Sequence, residues 1–200
     1  MIDVASMRGA LARVHAGIGP IRDALNAADR ELGDGDTGMT VEQLVDVWHS
    51  AAPMLSDDVG EALRRLGQET RRASGSSLAS VAAIALAAAG KAIAGKSSVD
   101  SADLRVALAA ATEAITARSG AAPGDKTVLD SLVRIAAELE GSASDAIGVA
   151  TSGAEGALND LRDRECRVGR SRMYGVRTVG RDDPGMLAAL LLLRAMREDS

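Results

Sequence analysis

Apolar side chains recur at the spacing i, i+3, i+4 along almost the whole of this 200-residue chain, and that period constrains the fold more than any motif does. It marks about eight helical segments, near 3 to 27, 39 to 52, 57 to 72, 77 to 94, 101 to 118, 126 to 140, 143 to 163 and 184 to 197. Several carry end signals: Ser101 with Asp103 in its first turn, Gly95 just after Ala94, and Pro184 in the first turn of the last segment. No stretch reads as a strand. Apolar residues make up 46% of the chain but are mostly Ala, Leu and Val, with one Trp, one Tyr and no Phe, so the aromatic filling usual in sheets is missing. Helices packed closely through small side chains remain, and the length suits one all-α domain spanning 1–200.

Composition also excludes several functions. The lone Cys166 rules out an internal disulfide framework, fits a reducing compartment and is given no role. The opening MIDVASMRGALARVHAG mixes charges into its apolar pattern and has no signal-peptide layout, so the expected location is the cytoplasm. The most apolar window, Ser77 to Gly90, is about 14 residues, too short to span a hydrocarbon core of about 30 Å, and reads as a buried helix. A net charge of -5 argues against nucleic acid as a partner. That charge is uneven: seven Arg between Arg162 and Arg181 against Asp163 and Glu165 give a local +5, leaving -10 elsewhere. Such a segment calls for an anion or an acidic partner, unless it is a solvated basic loop.

The seven connections fall into two kinds. After the second, fourth and sixth segments they are plain: AAPMLSDDVG, GKSSVD and EGSAS. After the first, third, fifth and seventh they are chemically loaded: DRELGDGDTG, RRASGSS, SGAAPGDKT and RECRVGRSRMYGVRTVGRDDPG. Short links favour antiparallel neighbours, which places every odd connection at the same end of the bundle. That end is the expected active face.

Asp29, Asp34 and Asp36 lie within eight residues of one another, with Gly33, Gly35 and Gly38 to let the backbone turn. Crowded carboxylates repel unless a cation neutralises them, and hard oxygen ligands of this kind suit magnesium completed by phosphate oxygens. The D-G-D pattern lacks the later Asp/Asn and closing Glu of a calcium loop. On its own, a structural turn with capping aspartates explains the loop as well. Ser74-Gly75-Ser76-Ser77 offers amides, hydroxyls and a positive helix end to a phosphate, or simply caps the Ala-rich helix. Gly124-Asp125-Lys126-Thr127, after Pro123 and before Asp130, lacks the first glycine and preceding strand of a P-loop. Arg170, Arg177 and Asp183-Pro184-Gly185 bring two cations and a tight turn suited to nucleotide.

In order and across most of the chain, DRELGDGDTG (29–38), SGSS (74–77), PGDKTVLDSLV (123–133), ATSGAEGALNDLR (150–162) and RSRMYGVRTVGRDDPG (170–185) resemble the L subunit, or C-terminal nucleotide-binding domain, of dihydroxyacetone kinases. The resemblance implies an eight-helix antiparallel up-and-down barrel with a nucleotide site at one end. It assigns Asp29, Asp34 and Asp36 as the catalytic and metal-binding residues, holding two magnesium ions that bridge the phosphates of ATP or tightly bound ADP. It places Thr37, Gly38, Met39, Thr40, Ser76, Ser77, Gly120, Val128, Arg170, Asp183, Pro184 and Gly185 along the nucleotide. Gly120 matches least well, the link before GDKT being one residue shorter. The sequence also departs at Thr37, Thr40 and Leu78, where the family usually has His, Asn and Gly. Thr37 is instead shared with the related fatty-acid-kinase nucleotide domain, whose loop reads GDTG.

What the resemblance implies is a phosphotransferase subunit. It would pass a phosphoryl group from ATP, or from ADP recharged by a phosphocarrier protein, to dihydroxyacetone or a similar ketose that a separate K-type subunit holds on a histidine. Such chemistry depends on positioning and charge neutralisation, which the aspartates and magnesium supply. His15 and His49 fall in helical patterns away from the loaded links and read as structural, as Trp48 reads as packing. Two other readings stay open: the same site serving another acceptor, a tetrulose or a fatty acid, and a regulatory module with nucleotide as its cofactor and a transcription regulator as its partner. Expected partners are the K-type subunit, the phosphocarrier protein and a second copy in a homodimer, with no nucleic acid and no membrane.

Overall fold

The structure, a computed structural model, describes residues 1–141 and 145–197. Among them are nine α-helices: α1 Val4–Ala16, α2 Ile18–Leu32, α3 Thr37–Ala51, α4 Val59–Ala73, α5 Ser77–Ala92, α6 Ser101–Ser119, α7 Val128–Glu138, α8 Ala146–Leu161 and α9 Pro184–Met196. The fold is all-α as expected. Among the described residues the only strand pairing is two residues long, β1 Ile2–Asp3 antiparallel to β2 Ser98–Val99, with Ile2 opposite Val99. No helix among them is long and apolar enough to cross a membrane.

The first expected segment is two helices. Gly17 closes α1, its N–H donating to the Arg13 carbonyl at 3.0 Å, and α2 begins at Ile18 and runs five residues past the expected end at 27, to Leu32. Asp29 therefore sits in the last turn of a helix, not in the loop after it. Helix α7 starts at Val128 instead of 126 because Thr127 and Asp130 form a capping box, each side chain serving the other's backbone. Helix α8 starts at Ala146, capped by Asp145, which accepts from Gly148 N at 2.8 Å. The expected start of that segment at 143 lies outside the described residues. Short 3-10 turns occupy Ala52–Met54, Leu139–Gly141 and Ser171–Thr178, the last inside the arginine-rich link.

Consecutive helices pack on one another from α2 to α9, and α9 returns to α1 and α2, so the neighbour contacts close into a ring. Four apolar clusters fill it, with Leu25, Val45 and Leu129 wholly buried at roughly 1.5–3 kcal/mol each. Small residues let the backbones approach: a Cβ on Gly60 would stand 2.5 Å from the Gly90 carbonyl, so α4 and α5 touch main chain to main chain. Trp48 packs as expected, its Nε1 donating to Thr70 Oγ1 at 2.7 Å. His15 and His49 stack on each other, ring centroids 4.1 Å apart.

The connections sort by end, as their chemistry suggests. At one end Arg8 donates to the Ala52 and Leu55 carbonyls at 3.0 and 2.6 Å, Val59 N to Lys96 O at 2.8 Å, and Gly95 N to Asp58 Oδ2 at 2.6 Å. Arg105 and Glu140 add a 3.5 Å pair there, and all of these belong to plain links or their flanks. At the other end Arg170 meets Asp34, and Arg167 N donates to Asp125 O at 3.1 Å, joining three of the four loaded links. The fourth, around Ser74–Ser77, is held to α3 by Gln43 Nε2 on the Ala73 carbonyl at 2.8 Å.

Candidate functional site

The end of α2 builds the start of α3. Asp29, only 5% exposed, accepts from the amides of Asp36 and Thr37 at 2.9 and 3.1 Å through Oδ2, and one turn earlier Asn26 accepts from Gly38 N at 2.8 Å. These bonds satisfy amides that begin a helix and have no partner inside it. They also hold the intervening residues 33–35 in a tight arc. Gly35 has φ 79, the left-handed region that favours glycine. Gly33 is extended, and its constraint is space: a Cβ there would come within 2.2 Å of Asp29 Oδ1. Glycine at 33 thus keeps the second carboxylate oxygen clear.

One carboxylate oxygen from each of Asp29, Asp34 and Asp36 lies within 4.8 Å of the others. Asp34 and Asp36 are exposed. The contact between their carboxyls holds Asp34 below the ordinary carboxylate range and pushes Asp36 above it, as expected of two like charges crowded together. Among the described residues Arg170 supplies the counter-charge, Nη1 lying 2.6 Å from Asp34 Oδ2 and 4.0 Å from Asp36 Oδ1. Nearby, Arg181 pairs with Glu31 and ties the far end of the arginine-rich link to the end of α2.

Across the same end, Lys126 is buried at 1% exposure with φ 61. Its ammonium donates to the carbonyls of Arg162, Arg164 and Thr178 at 2.8, 2.8 and 2.7 Å, and burial lowers its pKa. Around it Cys166 N donates to Thr178 Oγ1 at 2.9 Å, Thr178 Oγ1 to Gly175 O at 2.7 Å, and Gly180 N to Arg162 O at 2.9 Å. Asp130 fixes the approach, accepting from Gly124 N at 2.5 Å and Thr127 N at 2.8 Å. Lys126 therefore folds the arginine-rich link around itself. Burial pushes the Cys166 thiol up from its ordinary value.

A family model described as the DAK2 domain matches residues 31–198. The chain belongs to the DAK2 domain family. Triokinase/FMN cyclase of Homo sapiens is 31% identical over 197 residues, covering 94% of this chain and 34% of its own length. L-erythrulose 1-kinase of Mycolicibacterium smegmatis is 30% identical over 184 residues, covering 87% and 32%. The ADP-binding subunit of the PEP-dependent dihydroxyacetone kinase of Escherichia coli K12 is 25% identical over 179 residues, covering 86% and 85%. The chain thus spans about a third of the first two relatives and most of the third. The dihydroxyacetone kinase of C. freundii, in its native form, superposes with a TM-score of 0.76 at 22% identity, over 96% of this chain and 34% of that one, which shows the fold.

In this DAK2 domain the residues singled out from the sequence are distributed unevenly. Thr37, Gly38, Met39 and Thr40 form the first turn of α3 above the aspartates, with Met39 exposed. Ser76 caps α5, accepting from Ala79 N at 3.1 Å, and Ser77 is exposed. Gly120 ends α6 in the left-handed conformation at φ 71. Neither serine nor Gly120 hydrogen-bonds to the aspartates among the described residues. Val128 and Gly185 do meet, the Val128 Cβ lying 3.8 Å from where a Cβ on Gly185 would stand. Asp183 caps α9 through Met186 N at 2.9 Å, with Pro184 and Gly185 in its first turn. Arg170 reaches the aspartates, whereas Arg177 lies over the Tyr174 ring at 5.4 Å. Sequence reasoning did not single out Asn26 or the role of Lys126. Asn26, a polar residue one turn before Asp29 on a buried helix face, carried a usable signal; the carbonyls that Lys126 binds carried none.

Proposed function

We propose that this domain holds an adenine nucleotide and magnesium at its loaded end and acts as a phosphotransferase. In this reading Asp29, Asp34 and Asp36 hold the metal, and the domain passes a phosphoryl group to dihydroxyacetone or a similar short ketose held by a separate K-type subunit. The observation that carries it is the convergence of one carboxylate oxygen from each of three aspartates within 4.8 Å. The donor set fits magnesium: all oxygen, hard, and kept open at Asp29 Oδ1 by the missing side chain of Gly33. Bound there, magnesium would neutralise charge on the transferring phosphate. The chain's own part is placement. Arg170 is a guanidinium that can fork onto phosphate, the first turn of α5 lies at a positive helix end, and Val128 with Gly185 form an apolar step between the remaining links.

Relatives support the class. The Escherichia coli relative is named an ADP-binding kinase subunit, and a second structure of the C. freundii kinase, with a TM-score of 0.72, holds AMP-PNP and Mg2+. A tetrulose in place of the triose is the second reading, favoured by the two erythrulose kinases at 30% and 29% identity. Native mass spectrometry of the purified chain, with and without magnesium, tests the shared core of both. Retained ADP supports a phosphocarrier donor and exchangeable ATP a direct one, while no adenine nucleotide under any condition overturns the reading. Phosphorylation of dihydroxyacetone against erythrulose, with a K-type subunit added, then separates the acceptors.

A further inference from the structure

Seven arginines lie between Arg162 and Arg181, and the structure divides them by partner. Arg162 forks onto Asp182 at 2.7 and 3.2 Å, Arg170 reaches Asp34, Arg181 reaches Glu31, and Arg177 covers Tyr174. The other three, Arg164, Arg167 and Arg172, have no carboxylate or ring partner among the described residues. These same three line one cavity of about 680 Å³, together with Gly124, Glu165, Cys166 and Met173. An isolated unpaired arginine on a surface is ordinary. Here every arginine of the link without a partner faces one concavity that contains a single carboxylate, in a chain whose net charge is -5.

We propose that this cavity binds a small polyanion, a compound carrying at least two phosphate groups, at a site separate from the aspartate cluster. Guanidinium groups stay charged at any physiological pH, and their planar forks match phosphate oxygens two at a time. Three of them against Glu165 leave the lining at a net +2. The volume falls in the range of small-molecule sites, roughly 300–1,000 Å³. The floor is fixed before any ligand arrives. Arg164 O is bound by Lys126 Nζ at 2.8 Å, Arg164 N by Leu161 O at 3.0 Å, Cys166 N by Thr178 Oγ1 at 2.9 Å and Arg167 N by Asp125 O at 3.1 Å. Little backbone order then has to be gained on binding. Met173, 74% exposed at the rim, offers apolar contact to the organic part of a phosphate ester.

The cavity shares no residue with Asp29, Asp34 and Asp36, and it differs from them in kind. Three carboxylates reject phosphate until a cation is bound; three guanidiniums accept it without one. Isothermal titration calorimetry of the full chain with inorganic pyrophosphate, in buffer containing EDTA, isolates that difference. The expected result is saturable binding at one equivalent, weakened about tenfold or more in an Arg167→Ala/Arg172→Ala variant and unchanged in Asp34→Asn. Both arginine side chains are exposed and unpaired, so the double variant should fold, and its magnesium–ADP binding should match the parent. No pyrophosphate binding by the parent chain in EDTA overturns the proposal, as does binding that survives the double substitution. A parallel loss of magnesium–ADP binding in the double variant overturns the separateness of the two sites while leaving the nucleotide reading intact.

Discussion

Lys126 and the pair Asp34/Asp36 face opposite electrostatic problems at the same end of the molecule. Lys126 is a buried cation satisfied from within the chain, its three donors matched by three carbonyls at 2.7 to 2.8 Å. Asp34 and Asp36 are exposed carboxylates crowded together, with the Arg170 guanidinium as their counter-charge among the described residues. A completed network fixes structure, because any change leaves a buried group unpaired. An uncompleted one is where a ligand gains free energy by completing it. Both are tied to the arginine-rich link, Lys126 through the carbonyls of Arg162, Arg164 and Thr178 and Asp34 through Arg170, so the first can serve as scaffold for the second.

The largest effect should come from breaking the completed side. Lys126→Met keeps the length and apolar stem but removes the donors, leaving three carbonyls without their partner. An expected loss of about 3 kcal/mol or more follows from uncoupling a buried charged group. Urea denaturation reads the loss, and hydrogen exchange should show residues 162–181 opening ahead of the helices. A change under about 0.5 kcal/mol would mean that the link holds its shape by other contacts.

Next in size is a pH effect at the edge of the same scaffold. Part of Asp183 reaches solvent, yet burial of its carboxyl dominates and pushes it from 3.8 up to about 6, against lowering hydrogen bonds from Met186 and Gly185. An acid whose folded value is raised contributes stability below the unfolded value, near 3.8, and loses it as pH rises through about 6. Asp183→Asn retains a capping oxygen without the titration. The variant should therefore gain on the parent between those two values, by on the order of 2 kcal/mol, and the gap should stay constant above them. Thermal melts of both proteins across that window would show no widening gap if the carboxyl is in fact solvated.

These two effects also mark what the sequence could and could not reveal. Helical period located the main elements but merged the first two, because apolar spacing runs on through Gly17, the residue that separates α1 from α2. The aspartate cluster was legible because its three carboxylates lie within eight residues and share one arc. Gly33 was legible as a glycine for the wrong reason, since room for Asp29 Oδ1, not a turn, requires it. Lys126 was not legible at all. Its partners are main-chain carbonyls 36 to 52 residues away, and a carbonyl belongs to every residue type alike. The division of the arginines was hidden for a similar reason: seven residues of one kind read as one basic segment until their distances to Asp34, Glu31 and Asp182 separate them.

On the uncompleted side, Asp34→Asn should leave folding almost untouched, within about 0.5 kcal/mol, because the side chain is exposed and its loss also relieves Asp36. Magnesium–nucleotide binding should fall about tenfold or more, since one of three ligands is gone. Calorimetric titration together with a melt checks both halves. Equal losses of stability and affinity would make the aspartates structural, as the capping role of Asp29 alone allows.

The smallest effect is the most discriminating, because its sign differs for two ligands. Arg170 Nη1 stands 2.6 Å from Asp34 Oδ2, in the electrostatic place that the proposed metal would take, and its side chain is 49% exposed. A unit charge about 4 Å from another contributes about 1 kcal/mol in water, and exposure trims that further. Arg170→Ala should then tighten binding of magnesium alone by two- to fivefold, roughly, since a competing cation has gone. Binding of magnesium–ADP should weaken instead, because phosphate loses a guanidinium that no metal replaces. Manganese in place of magnesium lets paramagnetic resonance follow the metal directly, free of any activity assay. Arg170→Lys separates the causes, keeping the competing charge but not the fork, so metal affinity should return to the parent value while nucleotide affinity recovers only in part. If the alanine variant loosened both ligands equally, Arg170 would act by holding the link in place, and its role would belong with Lys126 on the completed side.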